Sequence, residues 1–131
     1  MKANIVLEDQ HSNRTEVESI VDSGAAWCAV RLSVLEEHLS DALEYMEPST
    51  MRFHDASGNR MSLVGKLPLR MRIGGVGIAA SVYVFKDLAA PFLLGANALL
   101  GNGCIIDCNR SRLYVAGDGT YGIPMTSATC V

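Results

Sequence analysis

Residues 66–85 constrain the fold more than any other segment of this chain. In KLPLRMRI, Leu67, Leu69, Met71 and Ile73 alternate with Pro68, Arg70 and Arg72. After Gly74-Gly75, VGIAASVYVF resumes the alternation with Val76, Ile78, Ala80, Val82 and Val84. Successive side chains of a strand point to opposite faces, so a period of two buries one set and leaves the other in solvent. Two such runs joined by a glycine pair make a β-hairpin. Upstream, TMRFHDASGNRMSLVG has two shorter alternating arms around the polar cluster 55–59, which predicts a second hairpin with no large apolar side chain at its tip. GCIIDCNRSRLYV reads as two strands around a turn at 109–111. Only two helices fit the pattern. One lies near residues 34–43, where Ser33 and Glu36 have capping-box spacing; a shorter one spans 96–100, between Gly95 and Gly101. The expected class is all-β with one or two short helices.

A chain of 131 residues is expected to form one domain. Its 49% hydrophobic and 19% charged content is that of a globular protein, and its twelve glycines favour tight turns over long helices. A net charge of −3 with acids and bases interspersed argues against a nucleic-acid surface, which needs clustered Lys and Arg. Lys66, Arg70 and Arg72 read instead as the wet face of a strand. MKANIVLEDQ does not resemble a signal peptide, and no apolar run is long enough to span a bilayer, so no membrane role is expected. Cys28, Cys104, Cys108 and Cys130 then read as reduced thiols, in keeping with a cytoplasmic location, as a free chain or within a larger polyprotein or multidomain protein. Four residues of strand separate Cys104 from Cys108 by roughly 13 Å, too far for a shared metal or a mutual disulfide.

Within SIVDSGAAWCAV an acid, Asp22, stands between two apolar runs. Asp is seldom fully buried without a partner, yet no Lys or Arg occurs in the seven positions before it or the eight after it. Either the chain surfaces there in an ordinary turn or the carboxylate has a chemical role. A serine hydrolase centred on Ser23 would want a GxSxG elbow or a placed His, and VDSGA offers neither. His11, His38 and His54 are scattered without metal-ligand spacing, and Cys28 lies in apolar surroundings that make a thiol inert. Trp27 reads as core or cleft wall.

VDSGA at 21–25 and FLLGANALLGNGCIID at 92–107, in this order and about seventy residues apart with a hairpin between, resemble the retroviral-type aspartic proteases, the retropepsin family. The resemblance runs from about residue 3 to residue 115. It implies a closed, orthogonal β-barrel-like acid-protease protomer over 1–116, with 117–131 as a tail or an interface strand. It also implies an aspartic endopeptidase that needs neither cofactor nor metal and acts on a peptide or protein substrate, as in polyprotein processing by a retroelement. The mechanism requires two carboxylates sharing one proton, one as general base toward water and the other as general acid toward the scissile carbonyl. This chain has one such Asp motif, so a two-fold homodimer would supply the second Asp22.

The same resemblance assigns further roles. Ser23, Gly24 and Ala25 would support the active-site loop, and Ala56, Ser57, Gly58 and Asn59 would form the tip of a substrate-binding flap over about 51–64. Ala25 stands where pepsin-like relatives carry a hydroxyl residue, which implies an activity optimum nearer neutrality. Ala26 and Ala96 stand where viral members commonly carry an acid and an Arg that pair, so substrate grip and dimer contacts must differ from the viral pattern. The alternative is a non-catalytic retropepsin-like domain used for dimerisation or peptide binding.

Overall fold

A computed structural model describes residues 1–119 and 121–127. Strands β1 (Lys2–Glu8), β2 (Arg14–Val21) and β3 (Cys28–Arg31) are followed by helix α1 (Leu32–His38) and a 3₁₀ turn (Ser40–Tyr45). Then come β4 (Leu63–Ile73), β5 (Val76–Phe85), β6 (Phe92–Leu94), α2 (Ala96–Gly101), β7 (Cys104–Asp107), β8 (Arg112–Val115) and β9 (Ile123–Pro124). Six strands close into a barrel in the order β1-β2-β6-β3-β5-β4, and β7-β8-β9 form a small separate sheet. The expected class, β with short helices around a closed barrel, is the one observed.

The long hairpin forms where the alternation places it. Ile73 pairs with Val76 across the turn, Gly74 adopts φ 64°, and the ladder continues to Leu63 opposite Phe85. Leu67, Leu69, Met71, Ile73, Val82 and Val84 enter the barrel core beside Ile5, Leu7, Phe92 and Leu94. Each buried aliphatic or aromatic side chain contributes about 1.5–3 kcal/mol relative to exposure. Tyr83 and Phe85, on the opposite face of β5, are buried as well. A second cluster explains this: Ala29, Tyr83, Phe85 and Leu88 are covered by Phe53, Met61, Leu63 and Leu93. The hairpin preceding β4 thus packs on the outside of the barrel, and an alternation with one wet face becomes a strand buried on both faces at that end.

The first helix differs from its sequence reading. It begins at Leu32 with Arg31 as N-cap and no side-chain cap, so Ser33 lies inside the first turn and its capping box with Glu36 is not formed. Strand β3 runs directly into the helix, and burial of Val34 and Leu35 fixes its start in place of a cap. At Leu39, with φ −135° and ψ 47°, the helix breaks, and the remainder of the expected segment continues as the 3₁₀ turn. The second helix lies as expected, extended by one residue to Gly101. At the carboxyl end, Ile123 pairs with Leu113 and Pro124 with Arg112, while Lys2 and Thr126 exchange two backbone hydrogen bonds of 2.8 Å. Residues 120 and 128–131 of the expected tail lie outside the described residues.

Candidate active site

Strand β6 carries the second motif into the first. It runs parallel to β2, with Val21 opposite Leu94, and antiparallel to β3, with Ala29 opposite Leu93. Residues 22–27 therefore loop over the end of the strand that separates β2 from β3. The Asp22 N–H donates to the Leu94 carbonyl at 3.0 Å, extending the parallel ladder by one step. The chain then turns, the Ala25 N–H donating to the Asp22 carbonyl at 3.2 Å and the Gly24 N–H to Asp22 Oδ1 at 2.9 Å.

The turn of α2 braces the loop from below. The Ala96 and Asn97 N–H groups donate to the Ala25 and Ala26 carbonyls at 2.7 and 3.1 Å. The Asn97 side chain spans a wider gap, accepting from the Cys28 N–H at 2.8 Å and donating to the Ser81 carbonyl at 2.9 Å. Gly95 is required for its size: a Cβ there would land on the Trp27 carbonyl and within 3.0 Å of the Ala25 oxygen. Its φ of −102° demands no glycine, so close approach of the two motifs alone excludes a side chain.

Asp22 itself is exposed on the surface of this single chain, as are Ser23 and Gly24, while Ala25 is half-buried. Among the described residues no cation reaches the Asp22 carboxylate, and the Gly24 N–H is its hydrogen-bond donor. The apolar runs around it are buried as strands, Val21 on one side and Cys28 to Val30 on the other. The acid stands where the chain leaves one strand and turns toward the next. Beneath it the Cys28 thiol is pushed up from its ordinary pKa by burial, partly offset by the Gly95 N–H donating to Sγ at 3.4 Å. A thiol held protonated in this way is a poor nucleophile.

The hairpin expected over about 51–64 is present in small form. His54 bridges to Arg60, and the Met61 N–H donates to the Phe53 carbonyl at 2.9 Å. Ala56, Ser57, Gly58 and Asn59 are all exposed at its tip, and Gly58 takes φ 85°. Asp55, the first residue of the expected polar turn cluster, organises the tip. Its Oδ1 accepts from the Ser57 and Asn59 N–H groups at 2.9 and 3.0 Å, an Asx-type turn that D-A-S-G-N could have signalled. Phe53, at the hairpin base, was missed. Its ring lies 4.8 Å from Tyr83 and 5.1 Å from Phe85, and it ties the hairpin to the barrel. The hairpin base and the Asp22 loop meet around a cavity of about 300 Å³.

A closed barrel with β6 threaded between β2 and β3, a short helix directly after it, and a hairpin beside the acidic loop defines a retropepsin-like fold. No protein-family model matches the sequence, and neither does any curated protein. Among solved structures, the retroviral protease-like domain of Ddi1 from Leishmania major superposes with TM-score 0.70 at 19% identity, over 97% of this chain and 95% of that one. The EIAV protease, in complex with an inhibitor, matches with TM-score 0.55 at 16% identity, over 77% of this chain and 86% of its own. A retropepsin-like aspartic protease from Rickettsia conorii matches with TM-score 0.50 at 20% identity, over 79% and 83% of the two chains. At these identities the likeness is one of fold.

Proposed function

We propose that this protein is a homodimeric aspartic endopeptidase in which Asp22 of each protomer forms the catalytic dyad. The observation that carries the reading is the placement of Asp22. Its carboxylate is exposed, without an ion-pair partner among the described residues, and mounted on a loop that two strands and a helix brace. Such a loop is built to present an acid to something outside the chain, and in this fold a two-fold partner would present its own copy opposite.

With the two carboxylates close together, like-charge repulsion leaves one proton shared between them. The ionised oxygen removes a proton from water, which attacks the scissile carbonyl. The protonated one donates to the carbonyl oxygen as it gains charge, and proton return to the departing nitrogen completes the cleavage. Ser23 and Gly24 keep the loop narrow at the site of contact, and Ala25 lines the cleft. The flap tip, 56–59, lies over an extended peptide and pairs with it as an added strand.

The test is incubation of wild type and Asp22→Asn with a mixed peptide library, with and without a statine-type inhibitor, read by mass spectrometry. Asn is nearly isosteric, so the fold persists. Turnover falls by about a hundredfold to ten-thousandfold or more, and the wild-type cuts vanish with inhibitor. A variant keeping a tenth of wild-type activity removes Asp22 from the chemistry. A dimer that binds peptides without cutting any assigns the domain to binding instead.

A further inference from the structure

The hairpin over 51–64 is not paired along its whole length. Below it Glu47 and Lys66 exchange backbone hydrogen bonds of 2.8 and 2.9 Å, and farther out the Met61 N–H reaches the Phe53 carbonyl at 2.9 Å. Between these two points no backbone hydrogen bond joins the arms among the described residues. The second arm is drawn onto the barrel instead. The Leu63 N–H donates to the Met61 carbonyl at 3.1 Å, the Ser62 carbonyl accepts from the Lys86 N–H at 3.3 Å, and Leu63 pairs with Phe85 at the end of β5. The arms therefore part, and a cavity of about 600 Å³ opens between them.

The lining of this gap is polar and basic. Ser49, Thr50 and Arg52 come from the first arm and Arg60 and Ser62 from the second; no Asp or Glu lines it among the described residues. Phe53, Met61 and Leu63 turn toward the aromatic cluster on the barrel, so the alternating residues Arg52, Arg60 and Ser62 stand on the other face. Arg52 and Arg60 are diagonal neighbours across the hairpin, a separation that long side chains bridge. Arg14, Arg31 and Arg112 each have an acceptor, in the Glu8 carboxylate, the Leu88 and Ala89 carbonyls, and the Tyr121 and Gly122 carbonyls. Arg52 and Arg60 have no ion-pair partner among the described residues. Asp55 and Asp87 share a neighbouring cavity with Arg60 without pairing to it, and Asp55 Oδ1 is taken by the Ser57 and Asn59 N–H groups.

We infer that the gap is a binding site for a dianionic phosphate group, which Arg52 and Arg60 grip from opposite arms. Two guanidiniums facing one gap repel each other, and an anion between them turns that repulsion into two attractions. Each guanidinium offers a planar fork of N–H donors that matches two oxygens of a phosphate. Hydroxyls complete the donor set. Ser49 Oγ accepts from the Met51 N–H at 3.2 Å, which leaves its own proton to donate, and Thr50 and Ser62 add two more hydroxyls. A carboxylate has two oxygens and can satisfy one fork; a tetrahedral phosphate presents oxygens to both arms and carries the second charge. The volume accommodates the phosphate with the group that bears it. Nothing in this site depends on Asp22, so the inference stands apart from the peptidase reading.

The test is titration of the full chain, at constant ionic strength, followed by amide-resolved NMR. The probes are inorganic phosphate, a blocked phosphoserine peptide, and the same peptide with serine or glutamate in its place. Phosphate and phosphoserine should give saturable shifts centred on 49–52 and 60–63; serine should give none, and glutamate should bind about tenfold more weakly or worse. Arg52→Gln and Arg60→Gln should each weaken phosphate binding about tenfold or more. Both arginines are exposed, so these variants keep the core intact, and Arg70→Gln, exposed on β4, serves as the charge-matched control with binding unchanged. Tighter binding of phosphoserine than of inorganic phosphate assigns the site to a phosphorylated chain, the reverse assigns it to the free anion, and either upholds it. Absence of saturable shifts, an equal response to glutamate, or equal weakening in Arg70→Gln overturns the inference. Because the spectra read binding without cleavage, either outcome leaves the peptidase reading to its own experiment.

Discussion

The Cys28 N–H and the Asn97 Oδ1, 69 residues apart in sequence, are joined by a hydrogen bond of 2.8 Å that spans the base of the Asp22 loop. The other end of the same amide donates to the Ser81 carbonyl, so one side chain links the start of β3, the first turn of α2 and the middle of β5. Asn97→Ala leaves the Cys28 N–H and the Ser81 carbonyl without these partners, at about 1–3 kcal/mol. Asn97→Asp keeps the acceptor and loses the donor, and is expected to fall between wild type and the alanine variant. Urea unfolding of the three proteins checks the order, and equal stabilities would show that the amide does not hold the loop.

Thiol chemistry provides an independent probe of the loop. Burial holds the Cys28 thiol above its ordinary value of 9.0, and burial together with the neighbouring Cys28 does the same for Cys104, whereas Cys108 is exposed. The thiolate is the reactive form, so among the described cysteines iodoacetamide at pH 8 should label Cys108 first and Cys28 last, with Cys28 reacting fast only in denaturant. The sign for stability follows. A folded-state pKa raised above the unfolded value supplies stabilisation below the unfolded pKa, and that contribution declines as pH rises through 9.0 toward the folded value. Cys28→Ala should flatten the alkaline end of a stability profile, and early labelling of Cys28 would place its sulfur elsewhere.

The carboxyl-terminal strand has a role within its own chain. Met125 is buried, its N–H donates to the Ser111 carbonyl at 2.8 Å, and Thr126 exchanges hydrogen bonds with Lys2. Met125→Ala should cost about 2–5 kcal/mol. Deletion of 119–131 should lower Tm further at protein concentrations where dimer dissociation contributes nothing. A truncated chain with unchanged Tm but weaker self-association would assign the strand wholly to the interface.

The proposed dyad implies a mixing result. When wild type and Asp22→Asn exchange completely at equal amounts, about one quarter of dimers hold two intact acids, the partition expected of an isologous dimer. Activity per wild-type chain should drop to about half, and activity should fall steeply on dilution through the dimer Kd. Wild-type activity indifferent to added mutant, after verified exchange, would make each chain self-sufficient and exclude the shared dyad.

Residues with a local cause were legible in the sequence. Period-two alternation at Leu67 to Ile73 fixes which side chains face the core, and Gly74-Gly75 fixes the turn, because both depend only on backbone geometry repeated along a strand. VDSGA and LLGAN were recognisable as a pair for a related reason: an acid between apolar runs and a glycine beside a short helix are unusual within their own neighbourhoods. Ser33 and Glu36 mislead, since capping-box spacing is also local, but the helix start is set by β3 and by the burial of Val34 and Leu35. The tertiary structure alone decided the rest. That Gly95 must be glycine follows from the Trp27 carbonyl lying against it, that Asn97 holds Cys28 follows from β6 passing between β2 and β3, and that Tyr83 and Phe85 are buried follows from Phe53 folding over them. Contacts across 67 to 72 residues have no periodicity to record them; they exist only once the barrel has closed and brought distant segments within hydrogen-bonding reach.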